Sequence, residues 1–233
     1  MIANKKEFYG GFALFVAFFV VLFIIFSPVF NGQNDVKQNG MEYLDDLYNS
    51  ISKGSAYYIP KVKKETDTFV GNNVNMTLKM ADENQAQQAA TLFTEAGATA
   101  EVSGTQLNVS GDLGNMLANC LKDSDNMYNN DGTTVSNKYG YDERQVLYNW
   151  HKALKAADKD LKKQKLFKEA KVVAMVTKKI VETSYNYYKI EPQKIGDKVG
   201  IVIFSLVFYV GYTLWYGFSI LFMFEGWGLR LEH

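Results

Sequence analysis

The stretch from Val199 to Phe224 carries no formal charge and is almost wholly apolar. Wound as a helix at 1.5 Å per residue it is about 39 Å long, against roughly 30 Å of hydrocarbon in a bilayer. A segment of this length and composition reads as a membrane span. It constrains the whole chain, because backbone that crosses lipid must satisfy its own hydrogen bonds. Within it Ser205, Tyr209, Tyr212, Tyr216, Ser219 and Met223 recur at spacings of four and three. That rhythm places them on one stripe of a helix. The expected role of the stripe is a packing seam, since lipid offers a phenol no partner and another helix does. A lining for a small ligand or ion, and lipid-facing aromatics without function, are the alternatives.

A second apolar run, Phe12 to Phe30, follows the basic pair Lys5 and Lys6. It is too long for the apolar core of a typical signal peptide, and its end, Ser27-Pro28-Val29-Phe30, lacks a small-x-small cleavage site. It reads as an uncleaved signal anchor and first span. Two spans put both tails on one side. The basic pair assigns that side to the cytoplasm and the large loop to the outside, long loops being translocated largely regardless of charge. Glu225, Trp227 and Arg230 mark the far interface.

The expected organisation is a tail over 1–11, a first span over 12–30, a linker with short helices over 31–72, an α+β unit over 73–140, one long helix or a helical hairpin over 141–196, a second span over 197–224 and a tail over 225–233. Short helices are expected at 41–52, where Tyr43, Leu44, Leu47, Tyr48 and Ile51 share a face, and at 60–70 behind Pro60. In the α+β unit Val74, Met76, Leu78 and Met80 alternate with polar residues, as a half-buried strand does. Asp82 caps a helix with an alanine-rich face that Gly97 ends. Ala98 to Val102 and Leu107 to Val109 alternate around the Ser103-Gly104 turn, and Asp112 caps a further helix bearing Cys120. The order is βαββα, or βαββαβ with a last short strand over 133–136, which is a small ferredoxin-like pattern. From Tyr141 to Glu191 there is no glycine or proline, and apolar residues keep a helical rhythm whose bend, if any, falls in 158–165. Tyr185, Tyr187 and Tyr188 then suit a membrane interface.

Chemistry is constrained by what the chain can assemble. With 25 Lys+Arg and 25 Asp+Glu the charge is balanced, which removes any global argument for nucleic acid. One cysteine, Cys120, allows no intrachain disulfide and reads as a small buried hydrophobe. His151 reads as a packing or solvated residue, being one of only two histidines. No phosphate loop, dinucleotide fingerprint or nucleophile elbow occurs. The acidic stretch up to Gly132 fails the calcium-loop register, because Met127 and Lys138 fall where acids are required. No catalytic residue, cofactor or metal is therefore expected. The run Lys159, Lys162, Lys163, Lys165, Lys168 and Lys171 reads as a solvated helix face, with anionic headgroups or an acidic partner as the functional alternative. The expected function is that of a non-catalytic membrane subunit or scaffold. Its spans would meet membrane lipid and either other integral membrane subunits or further copies of itself, and its outer domain would mediate protein interaction. A homo-oligomeric channel or gate and a ligand sensor acting through a partner are the competing readings.

Overall fold

A computed structural model describes residues 2–31 and 37–229; linker residues 32–36, Met1 and tail residues 230–233, Arg230 among them, lie outside that set. The chain divides into two units, Met1–Gly54 with Pro192–His233, and Ser55–Glu191.

The first helix, α1, spans Lys5–Phe26. It starts earlier than the apolar run because the Asn4 side chain accepts the Glu7 N–H and caps it. It stops at Phe26, four residues short of the expected end: the Ser27 hydroxyl donates to the Phe23 carbonyl at 2.7 Å, and Pro28 has no N–H to continue the ladder. Phe30–Asn31 (β1) then pairs antiparallel with Lys37–Gln38 (β2). Helix α2, Gly40–Lys53, opens with a capping box in which Asn39 and Glu42 satisfy each other's backbone N–H.

The second unit begins with α3, Ile59–Thr66, which has Pro60 in its first turn and tightens into a 3-10 turn at Asp67–Phe69. Then follow β3 (Asn73–Lys79), α4 (Glu83–Thr94), β4 (Thr99–Ser103), β5 (Gln106–Asp112) and α5 (Leu113–Tyr128). Asp82 and Asp112 cap the two helices by accepting the N–H groups of Gln85 and Asn115. The three strands form an antiparallel sheet in the order β3-β5-β4, with Met76 opposite Val109 and Val102 opposite Leu107. Val74, Met76 and Leu78 face the core and alternate with exposed polar residues. On the polar face the Thr77 hydroxyl donates to Asn108 and the Ser110 hydroxyl to Asn75. The triplets Asn75-Met76-Thr77 and Asn108-Val109-Ser110 are thus tied across the strands.

Residues 133–136 are not a strand. They lie in α6, Gly132–Tyr139. The Asn-Asn-Asp-Gly segment works as a helix start: Asp131 accepts from the Thr134 N–H and hydroxyl, and Gly140, at φ 75°, closes the far end. The long helical region is a hairpin, with α7 over Glu143–Lys163 and α8 over Phe167–Val176. The chain reverses through Gln164–Leu166, where Lys165 takes a left-handed φ of 64°. A π-helical turn, Thr177–Val181, leads into α9, Glu182–Tyr187. The free edge of β3 is covered from α7. The Thr77 N–H donates to Asp160, and the Gln164 amide donates to the Asn75 carbonyl at 2.8 Å. Those are the groups that a further strand would need, so the edge is closed by side chains.

The core of this unit is continuous from the sheet through Leu92, Phe93, Leu117 and Cys120 to Trp150, Leu161 and Ile180. Tyr188 belongs to it. Rather than lying at an interface, its ring is buried and its hydroxyl donates to Glu143 at 2.7 Å. Gly132 is needed beside it, since a Cβ there would meet the Tyr188 hydroxyl. The chain closes with α10, Ile195–Trp227, which Gly228 ends at φ 93°. α1 and α10 are each long and apolar enough to cross a membrane, at about 33 and 50 Å.

Candidate functional site

α1 and α10 pack antiparallel. The Asn4 N–H donates to the Gly226 carbonyl at one end, and the pairing proceeds through Gly11 against Ser219 and Met223 to Phe18 against Tyr212. Two glycines let the backbones approach. A Cβ on Gly11 would lie 2.8 Å from the Met223 nitrogen and the Ser219 oxygen, and one on Gly226 would clash with the Phe8 nitrogen. Close approach of this kind is how helices associate without a hydrophobic driving force between them. Further along, large polar aromatics reach across. The Tyr212 hydroxyl donates to the Phe18 carbonyl at 2.8 Å and the Trp215 indole N–H to the Leu14 carbonyl at 3.0 Å. Each uses the second lone pair of a carbonyl already bonded within α1. The Phe18 and Tyr212 rings stack with centroids 4.2 Å apart.

The six stripe residues divide. Ser219 is fully buried and Met223 half-buried beside Gly11. Tyr212 lies at the centre of the contact. Ser205 is buried too, but against α2: its hydroxyl shares a 2.6 Å hydrogen bond with that of Tyr48. Tyr216 lays part of its ring on Phe15 and Phe18 and remains 42% exposed. Tyr209 points away and is 70% exposed, with no partner for its hydroxyl among the described residues. Sequence reasoning missed Trp215, Gly11 and Gly226. For Gly226 the signal was present as a seven-residue spacing, Tyr212, Ser219, Gly226, which follows the α1 seam more closely than the alternation of four and three.

In the second unit a half-open pocket of about 350 Å³ lies between α7 and α9. His151 and Glu182 meet on its wall, Nε2 to Oε1 at 3.0 Å, with Tyr148, Tyr185 and Asn186 around them. The π-helical turn ends at Val181, one residue before Glu182. The pocket offers hydrogen bonding and ring stacking. It holds no serine or cysteine nucleophile.

A buried polar cluster lies elsewhere. The Asp123 carboxylate is buried and accepts from Lys138 Nζ at 2.7 Å, the Tyr139 hydroxyl at 2.5 Å and the Trp150 indole at 2.9 Å. Burial, and then the charge of Asp123, push the Tyr139 hydroxyl far above its ordinary range, so it remains a donor. Burial also pushes the Cys120 thiol well up, which disfavours the thiolate. Donors reach both oxygens of the carboxylate, as the burial of a charge requires. This cluster fastens α5, α6 and α7 together. Among the described residues no group of three or more His, Cys, Asp or Glu side chains is placed to hold a metal. Comparison with protein-family models, curated proteins and solved structures finds no match to this chain.

Proposed function

We propose that this chain is a non-catalytic integral membrane subunit whose two long helices pack within a larger membrane assembly. The observation that carries the reading is Tyr209. The uncharged stretch is centred between Gly211 and Tyr212, so Tyr209 lies about 4 Å from its middle. Its hydroxyl is turned away from α1 and has no partner among the described residues. An unpaired hydroxyl in hydrocarbon is costly; Tyr212 bonds to α1, and Thr213 and Ser219 bond to their own backbone, whereas Tyr209, like Tyr216 after it, has no hydroxyl partner among the described residues. A further helix supplying an acceptor removes that cost. The apolar surround fits the same picture: Phe23 is 75% and Val207 67% exposed, surface that lipid or other helices accept and water does not.

In this reading the tails are cytoplasmic and the Ser55–Glu191 unit is outside, where it meets another protein. Its sheet is a three-stranded form of the split β-α-β arrangement, with α7 side chains on the edge where a fourth strand would add. Orientation is tested by placing a single reactive thiol at the exposed hairpin residue Ser103. The native Cys120 is fully buried and gives no background. Labelling of Ser103→Cys by an impermeant reagent in intact cells is expected; labelling only after lysis reverses the orientation. The assembly itself is tested by the native mass of the full chain in mild detergent. A mass above the monomer supports the subunit, and co-purifying proteins or their absence tell hetero- from homo-assembly. A monomer at all concentrations contradicts it.

A further inference from the structure

A groove of about 740 Å³ runs along the outer side of α8, with α3 and its 3-10 turn as the opposite wall. Its floor is apolar, made by Phe69, Val172 and Met175. Its walls carry Lys168, Lys171, Lys178 and Lys179 on one side and Lys64 on the other. All five lysines are exposed, and none of them forms an ion pair among the described residues. The acids nearby are committed elsewhere. Asp67 pairs with Lys63 at 2.7 Å, Glu169 accepts from Asn72 at 2.9 Å, and Glu182 faces His151. Glu65 is the one acid among the lining residues. In a chain of zero net charge, five lysines against one acid around one apolar floor are a local concentration of positive charge. The lysine run of the sequence also divides here: Lys162 pairs with Asp158, while Lys168 and Lys171 turn to the groove.

We infer that this groove docks an acidic amphipathic helix of a partner protein, with its apolar face on Phe69, Val172 and Met175 and its carboxylates along the two lysine walls. Charge complementarity fixes the sign of the partner, and the layout fixes its shape. From Lys168 to Lys179 the cations extend over about 16 Å of helix, which is three turns. A single phosphate group engages cations a few ångströms apart, whereas a helix with acids on both flanks meets such rows along its length. Recognition of this kind lays an apolar helix face into a groove between helices, and a methionine on the floor adapts to it. The inference rests on the reading of this unit as the part that meets another protein, and it is tested separately from the membrane helices.

The probe is a synthetic helical peptide of about eighteen residues with a leucine face flanked by glutamates, and its twin with lysine at every glutamate. Binding to the full chain in neutral detergent is followed by fluorescence anisotropy. The glutamate peptide is expected to bind, and to weaken about tenfold on raising salt, as exposed charge pairs do. Lys168→Glu/Lys171→Glu/Lys178→Glu is expected to lose about tenfold for the glutamate peptide and to gain the lysine peptide. An unfolded protein gains neither. The milder Lys→Gln triple at the same positions is expected to lose affinity for the glutamate peptide without unfolding, checked by its melting curve. Unchanged binding by both variants overturns the inference. So does failure of the peptide to bind while the same lysines hold the protein on phosphatidylglycerol vesicles, which makes the groove a lipid site. Native mass of the triple variant separates the two proposals: an intact membrane assembly with lost peptide binding leaves the helix reading standing.

Discussion

The Tyr212 hydroxyl donates to the Phe18 carbonyl at 2.8 Å while the two rings stack at 4.2 Å, so one side chain both bonds and packs across the α1–α10 contact. The two contributions separate by substitution. Tyr212→Phe removes the bond and keeps the ring. Intramembrane hydrogen bonds average about 0.6 kcal/mol, so the melting temperature in detergent is expected to fall only slightly. Tyr212→Ala removes the stacked ring and leaves a void, with an expected loss of roughly 3 kcal/mol if the site does not collapse. Equal effects of the two variants would contradict this division.

Two adjacent glycines give a matched pair. A side chain on Gly11 meets the α10 backbone at 2.8 Å, while one on Gly10 meets nothing within 4 Å. Gly11→Val is expected to separate the helices, and Gly10→Val to be tolerated. Disulfide trapping between cysteines at Leu14 and Trp215 reports the pairing, and equal trapping in both variants would show that the close approach is not required.

The Tyr188–Glu143 bond makes a pH window. Tyr188 is pushed up from 10 to about 12, chiefly by burial and then by Glu143. Glu143 is held below 4.5, chiefly by the bond from Tyr188. A lowered carboxyl gives stability that is present above its unfolded value and is lost as pH falls through its folded value. A raised phenol gives stability that is present below 10 and is lost as pH rises toward 12. The stability difference between the native chain and Tyr188→Phe is therefore expected to be largest between about pH 5 and 9 and to shrink at both ends. A difference independent of pH would mean that the pair contributes through packing alone.

The covered edge of β3 is a local device with a local readout. With Asp160→Ala the Thr77 N–H loses its acceptor, and its hydrogen exchange is expected to quicken about tenfold, the worth of one such bond. Val109, in the middle of the sheet, should not change. Equal change at both would indicate global loosening.

Much of this architecture was legible because it repeats locally. The alternation from Val74 to Leu78 and the caps Asp82 and Asp112 act within a few residues, and the strands and helices follow them. Residues 133–136 were open to a strand reading because an Asn-Asn-Asp-Gly segment before them reads equally as a turn; what decides is the cap from Asp131 to Thr134 and the left-handed Gly140 at the far end. The end of α1 was misplaced because hydropathy continues through Val29 and Phe30 while Pro28 has already stopped the helix. Tyr188 looked interfacial because aromaticity alone does not reveal a half-buried carboxylate 45 residues away that accepts its hydroxyl. The seam between the long helices was half legible. Spacing on one helix cannot show which residues of α1 face it, so Gly11 and the bond from Trp215 to Leu14 went unread, and Tyr209 finds its place away from α1.

Tyr209 therefore bears the central claim, that the outer face of α10 meets another helix. The most direct measurement replaces Tyr209 with a benzophenone photo-cross-linker in the full chain, in its native membrane, and identifies the adducts. The expected result is a protein adduct, to a second copy or to another subunit, that is absent when the cross-linker stands at Tyr212, an aromatic already inside the α1–α10 contact. Adducts to lipid alone at Tyr209, with cross-linking competence shown on the same sample, would mean that this face looks into the bilayer and that the chain needs no helical partner there.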